Sequence, residues 1–144
     1  MESSLIIPAE AERFREACTF VRSCAAECGA PESLLQKLDL VIEELVINIA
    51  SYAYPEEAGK VEIRCLRETA SAAQNGKPDS LFCLCFCDWG VAFNPLQSPR
   101  PDMEIDLHRR NIGGLGLHLV LEMADTCAYE RRNGMNEFKV CFEI

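Results

Sequence analysis

No stretch of the 144-residue chain approaches the roughly 18 apolar residues of a membrane helix, so the sequence predicts no transmembrane span. The opening residues, MESSLIIPAEAERF, lack a basic segment followed by an apolar core and a cleavage site, and the expectation is a cytoplasmic protein. Positive charge is scarce. Fourteen Lys and Arg stand against 23 Asp and Glu, a net charge of −9. Nucleic-acid affinity rests on neutralising phosphates, so this balance argues against a general nucleic-acid binder. A small phosphate ligand stays open, because backbone dipoles at one spot can outweigh the global charge. Also missing are the paired CxxC or Cys/His clusters of tetrahedral metal sites, the Walker pattern GxxxxGK(S/T) and any internal repeat.

What the chain does have is cysteine, nine in all. Cys83, Cys85 and Cys87 alternate in LFCLCFC and share one face of a predicted strand, while Cys24 and Cys28 share a helical face in CAAEC. Free cysteine packs as a small hydrophobe. The expectation is therefore buried, reduced thiols, with metal or redox use as the alternative.

With 49% hydrophobic and 26% charged residues, the chain has the composition of an ordinary globular protein, and its length fits one domain over residues 1–144. The stretch at 38–54, LDLVIEELVINIASYAY, organises it. Leu34, Leu38, Ile42, Leu45, Ile49 and Ala53 recur at spacings of three and four, one apolar stripe along a helix predicted over 31–54. Glu44 and Asn48, four apart, stand one above the other on a neighbouring strip, whereas Glu43 lies about 140° from Asn48 around the helix. Such a pair is either a solvated helix face or part of a site.

An edge strand is predicted at 5–8 and a helix at 9–28, with Phe14, Cys18, Val21 and Ala25 toward the core. Gly29 suits a helix C-cap, and Pro31 a first-turn position in the next helix. Strands follow at 61–66 and 81–87, the second a continuous apolar run and so central. Between them, 69–80 is a turn or loop, and 94–111, with three prolines, is an irregular, movable segment of functional length. A third helix at 113–124 faces the core through Leu117, Val120, Leu121 and Ala124. Strands at 127–132 and 137–144 flank Asn133-Gly134, a strong hairpin signal. The natural packing is an α+β two-layer sandwich, with helices on one face of a mixed, mainly antiparallel sheet.

Two glycine stretches carry chemistry. Asp88-Trp89-Gly90 ends the central strand: a carboxylate there can accept from an exocyclic amine, and Gly90 would admit a flat ring, though Asp-x-Gly is also a common turn. Gly113-Gly114-Leu115-Gly116 leads into a helix, where exposed N–H groups and the positive dipole end suit an anion; a plain hinge is the alternative.

EELVINIASYAY, DWGVAFNP and GGLGLHLV, in this order, resemble the N, G1 and G2 boxes of the GHKL ATPases, which share the Bergerat fold. The short length, SYAY, AFNP and the closing YERRNGMNEFKV resemble the anti-sigma-factor serine/threonine kinases of bacterial partner-switching modules. The resemblance implies Glu44 as general base and Asn48 as the Mg²⁺ ligand. It implies Tyr52 beside the nucleotide, Asp88 on the adenine amino group, and Gly90 making room for the base. Gly114, Leu115 and Gly116 would give ATP their backbone amides, under a lid at about 94–112 in which Arg109 and Arg110 are candidate phosphate contacts. Two departures stand out: Tyr52 where the family often has histidine, and Ala92 in place of a second glycine.

The implied activity is ATP- and Mg²⁺-dependent phosphorylation of an anti-anti-sigma (STAS-type) protein, with a sigma factor or comparable target held in its absence. Homodimers are common in that family. The rival readings are an ATP-binding sequestering module without transfer, and the detached ATP-binding domain of a histidine kinase. The latter needs a phosphoacceptor histidine on a dimerisation helix, and only His108 and His118 are present.

Overall fold

The computed structural model describes residues 2–69, 80–97 and 114–144, with side chains from 116 onward in the last segment. Its elements run β1 (Glu2–Pro8), α1 (Phe14–Glu27), α2 (Glu32–Tyr52), β2 (Lys60–Thr69), β3 (Ser80–Asp88), α3 (Gly114–Met123), β4 (Thr126–Arg132) and β5 (Met135–Glu143). The loop expected at 69–80 and the movable segment expected at 94–111 lie largely outside the described residues, as do Arg109, Arg110 and Gly113.

Helix α2 forms where the periodicity places it. All six stripe residues are buried, together with Leu35, Val41 and Val46. In α1 the core face is Ala17, Val21, Cys24 and Ala25, while Phe14 and Cys18 are only partly buried. That rotation follows from the start of the element: Ala11–Arg13 form a 3₁₀ turn, and regular α-helix begins only at Phe14. Gly29 ends α1 at φ 83°, with its N–H on the Ala26 carbonyl and the Ala30 N–H on the Ala25 carbonyl. This is a Schellman cap, which favours a residue without a Cβ. Pro31 is the N-cap of α2, and its carbonyl accepts from Leu34 and Leu35.

The five described strands form one sheet in the order β1-β2-β3-β5-β4, with β3 central and β1 at an edge. Every pairing is antiparallel, where the sequence reading allowed a mixed sheet. For β1 and β2 the cause is the helix pair. Helices α1 and α2 run out and back, so the chain re-enters the sheet beside its exit, with Lys60 opposite Pro8. Asn133 (φ 50°) and Gly134 (φ 77°) are both left-handed, the two-residue turn that matches strand twist between β4 and β5.

One face of the sheet packs under the helices through Val61, Ile63, Cys65, Phe82, Leu84, Phe86, Phe138, Val140 and Phe142. On the other face Cys83, Cys85 and Cys87 are buried as well. There the neighbouring strands contribute charged pairs: Arg64 with Glu62 at 3.1 Å, Arg132 with Glu137 at 2.8 Å, and Lys139 with Glu68. Long side chains of this kind cover apolar atoms with their stems while their heads stay wet.

The expectation of reduced thiols fails at one pair. Cys83 and Cys141 are joined by a disulfide, because the β3–β5 register sets them directly opposite each other. The other seven cysteines are free. Among the described residues no helix is long and apolar enough to cross a membrane.

Candidate functional site

Glu44, Asn48 and Tyr52 succeed each other at intervals of four along α2, beside the buried row Leu45, Ile49 and Ala53. The C-terminal half of this helix lies over the end of β3 and forms one wall of a pocket of about 610 Å³, open mouth included. Asn48, Tyr52 and Asp88 line it with Ala92, Phe86, Phe138, Tyr129 and Asn136, a mostly apolar lining with a few convergent polar groups. That composition suits a small-molecule site.

Asp88 is 6% exposed at the pocket floor. Its Oδ1 accepts from the Gly90 N–H at 3.0 Å and from Asn136 Nδ2 at 2.9 Å. No hydrogen bond from the described residues reaches Oδ2, a buried acceptor available to a ligand donor. Burial pushes the Asp88 carboxyl above its ordinary value, against the hydrogen bonds from Asn136 and Gly90 and the charge of Arg131.

Asn136 does more than touch Asp88. Its Nδ2 also donates to the Val91 carbonyl at 2.7 Å, and its Oδ1 accepts from Tyr129 Oη at 2.6 Å and from the Phe93 N–H at 3.4 Å. It therefore ties β3, β4 and β5 to the segment that follows Asp88. Sequence reasoning missed Asn136 and Tyr129. One signal was there: in β5, Asn136, Phe138, Val140 and Phe142 alternate, so a single amide occupies a core-facing position.

Gly90 also answers a demand within the fold. A Cβ there would collide with the backbone carbonyl of Ala53, which also accepts from the Val91 N–H at 2.9 Å. The glycine lets the end of α2 dock on the turn. Tyr54 reinforces that junction by accepting from the Trp89 N–H at 2.8 Å and donating to the Lys60 carbonyl at 2.6 Å.

Glu44 lies apart from the pocket lining, against the head of α3. A Cβ at Gly116 would collide with its carboxylate. Gly114 and Leu115 form the first turn of α3 with Gly116, which places their backbone at the positive end of the helix. Burial raises the Glu44 carboxyl above its ordinary value, and the nearby charge of Glu43 adds to the rise. So α2 carries Asn48 and Tyr52 to the pocket and Glu44 to the glycine-headed helix.

Among the described residues, Glu68 with Cys83 and Cys141 is the sole group of His, Cys, Asp or Glu close enough to share a metal ion. The two sulfurs there are bonded to each other and lie on the far face of the sheet.

The family model for the histidine kinase-like ATPase domain matches residues 7–142, and no curated protein matches the chain. The match spans nearly the whole sequence. The chain belongs to this family, and it is a GHKL-type ATPase domain whose expected ligand is ATP.

Proposed function

We propose that this histidine kinase-like ATPase domain is an ATP-dependent protein serine/threonine kinase of the anti-sigma-factor type. It phosphorylates an anti-anti-sigma (STAS-type) partner in the bacterial cytoplasm and holds a sigma factor or comparable target when that partner is unavailable. The observation that carries the reading is Glu44: a carboxylate of raised proton affinity, resting on the glycine head of α3, one helical turn from Asn48 in the Asp88 pocket.

In this reading Asp88 accepts the adenine amino group on Oδ2, while Asn136 and the Gly90 N–H hold its other oxygen. Asn48, Tyr52 and the apolar lining bound the rest of the pocket. The first-turn amides at Gly114, Leu115 and Gly116 face the phosphates. Glu44 takes the proton of the incoming serine or threonine hydroxyl, and its raised proton affinity suits a base. Mg²⁺ would be held by the Asn48 side-chain oxygen together with phosphate oxygens and water, since this ion takes few protein ligands. When bound it would neutralise the charge on the transferring phosphoryl group.

The test is label transfer from γ-labelled ATP to co-purified partner proteins, by wild-type and Glu44→Ala chains. Glu44→Ala is expected to lower transfer about 10²–10⁴-fold, the usual worth of a general base, while retaining ATP binding. Transfer undiminished in Glu44→Ala would refute the role given to Glu44. ATP binding by the wild type with no transfer to any partner would leave a nucleotide-dependent sequestering module.

A further inference from the structure

We infer that Cys83 and Cys141 form a reversible thiol–disulfide site whose state tunes the Asp88 end of the pocket through the β3–β5 ladder. The coupling to nucleotide rests on the reading above; the thiol chemistry does not.

The pair is distinguished by register. Cys83 faces Cys141 across β3 and β5, whereas Cys85 lies between Arg64 and Lys139, and Cys87 between Glu62 and Glu137. No other described cysteine has a cysteine as its direct cross-strand partner. Disulfides in reducing compartments are usually transient and redox-sensing rather than structural. The pair is also coverable and uncoverable. It lies on the face of the sheet opposite the described helices, beside Glu68 and its ion pair with Lys139, whose side chains are 40% and 30% exposed. Surface ion pairs are weak, so a small oxidant gains entry when two side chains swing aside and no strand has to open.

The oxidant is a hydroperoxide. One thiolate attacks a peroxide oxygen, the O–O bond breaks, and a sulfenic acid forms as water or an alcohol departs with the thiol's proton. The second thiol attacks that sulfur, the S–O bond breaks, and water leaves as the S–S bond closes. Two electrons pass from the sulfur pair to the peroxide. A dithiol reverses the step by exchange through a mixed disulfide and is itself oxidised to a disulfide.

The consequence for the pocket follows from the ladder. Asp88 and Asn136 are register partners on the same two strands, five positions beyond Cys83 and Cys141 respectively, and are joined by the 2.9 Å hydrogen bond. A covalent link at one end of this strand pair fixes its separation and twist. Releasing the link alters how firmly Asn136 presents Asp88 at the other end.

The experiment uses the whole wild-type chain, reduced anaerobically, titrated with hydrogen peroxide and then returned with dithiothreitol. Peptide mass mapping is expected to find Cys83–Cys141 as the first disulfide formed and the one restored to thiols. Amide exchange at Gly90, Val91 and Asn136 should differ between the two states, and ATP affinity should differ about fivefold, the low end of coupling between sites. Cys141→Ala should abolish the difference and Cys85→Ala should keep it. A first disulfide elsewhere, or equal exchange in both states, would overturn the inference, as would equal ATP affinity where ATP binds. If ATP binds neither state while exchange at those amides still follows the thiols, the ATP reading falls and the redox site stands.

Discussion

Around Asp88 the site is held by backbone, by one buried amide and by two tyrosine hydroxyls, whereas around Glu44 it is held by one flexible carboxylate resting on a glycine. At the first end every contact is doubled. Asp88 has Asn136 and the Gly90 N–H, Asn136 has Tyr129 and the Val91 carbonyl, and the turn is clamped to Ala53 and Tyr54. At the second end, burial and the charge of Glu43 both work against the ionised form of Glu44. A preformed, rigid end is suited to recognition, because ordering costs are met on folding rather than on binding. A carboxylate on a rotatable stem is suited to a proton transfer that needs movement.

Asp88→Asn is the strongest probe of the rigid end. The substitution keeps an oxygen for Gly90 and Asn136 and replaces Oδ2 with a donor. Losing a hydrogen bond to a charged group costs about 1.5–3 kcal/mol, so ATP affinity should fall about 10- to 150-fold while the fold stands. Calorimetric titration checks it. A base carrying a keto group in place of the amine should lose less, and equal losses for both would show that Oδ2 does not read the ligand. Asn136→Leu follows in size. It leaves Tyr129 Oη, the Val91 carbonyl and one oxygen of Asp88 short of a partner, and should lower unfolding stability by about 1–3 kcal/mol with a matching loss of affinity. Denaturant titration together with ATP binding measures both, and an unshifted midpoint would remove Asn136 from the account.

The two glycines sharpen the contrast. At Gly90 an added methyl meets the Ala53 carbonyl, which is main chain and cannot swivel away. Gly90→Ala should cost about 1–3 kcal/mol of stability, as overpacking does. At Gly116 the methyl meets the end of the Glu44 side chain, which can turn aside. Alanine is also the better helix former, by about 1 kcal/mol in a helix interior. Gly116→Ala should therefore leave the melting temperature level or slightly raised and still lower transfer, because Glu44 has been displaced. The reverse pattern would mean that the flexible and the rigid ends had been assigned the wrong way round.

This contrast also separates what the sequence reveals from what it conceals. Helix α2, the Gly29 cap, the Asn133-Gly134 turn and the central place of β3 are local matters: a period, a positive φ, an unbroken apolar run. All four were legible. The Cys83–Cys141 bond spans 58 residues, and the Asn136–Asp88 bond spans 48. Both depend on strand register, which no local pattern in either strand specifies. The demand at Gly90 comes from Ala53, an element away, so the sequence announced a glycine with a purpose and left its neighbour unnamed. Glu44 and Asn48 were legible as a pair through the helical repeat. Their division between the α3 head and the pocket was not, because it depends on where α3 docks.

The smallest effect is the one in pH, and it acts at the flexible end. The Glu44 carboxyl is raised above its ordinary value of 4.5, first by burial and then by the charge of Glu43. A base works only when deprotonated, so transfer should fall on acidification with a midpoint above 4.5. Stability runs the other way. The folded chain holds this proton more tightly than the unfolded one, so the contribution of Glu44 is complete below the unfolded value and is lost as pH rises through the folded value. Asp88 is raised too and acts on stability in the same sense. Glu43→Gln removes the second cause and leaves the first. The transfer midpoint should move down without reaching the ordinary value, and ATP affinity at neutral pH should hold. The pH–rate profiles of wild type and Glu43→Gln measure the shift. Coincident profiles would mean that the titrating group is not Glu44, and that the flexible end owes its activity to some other base.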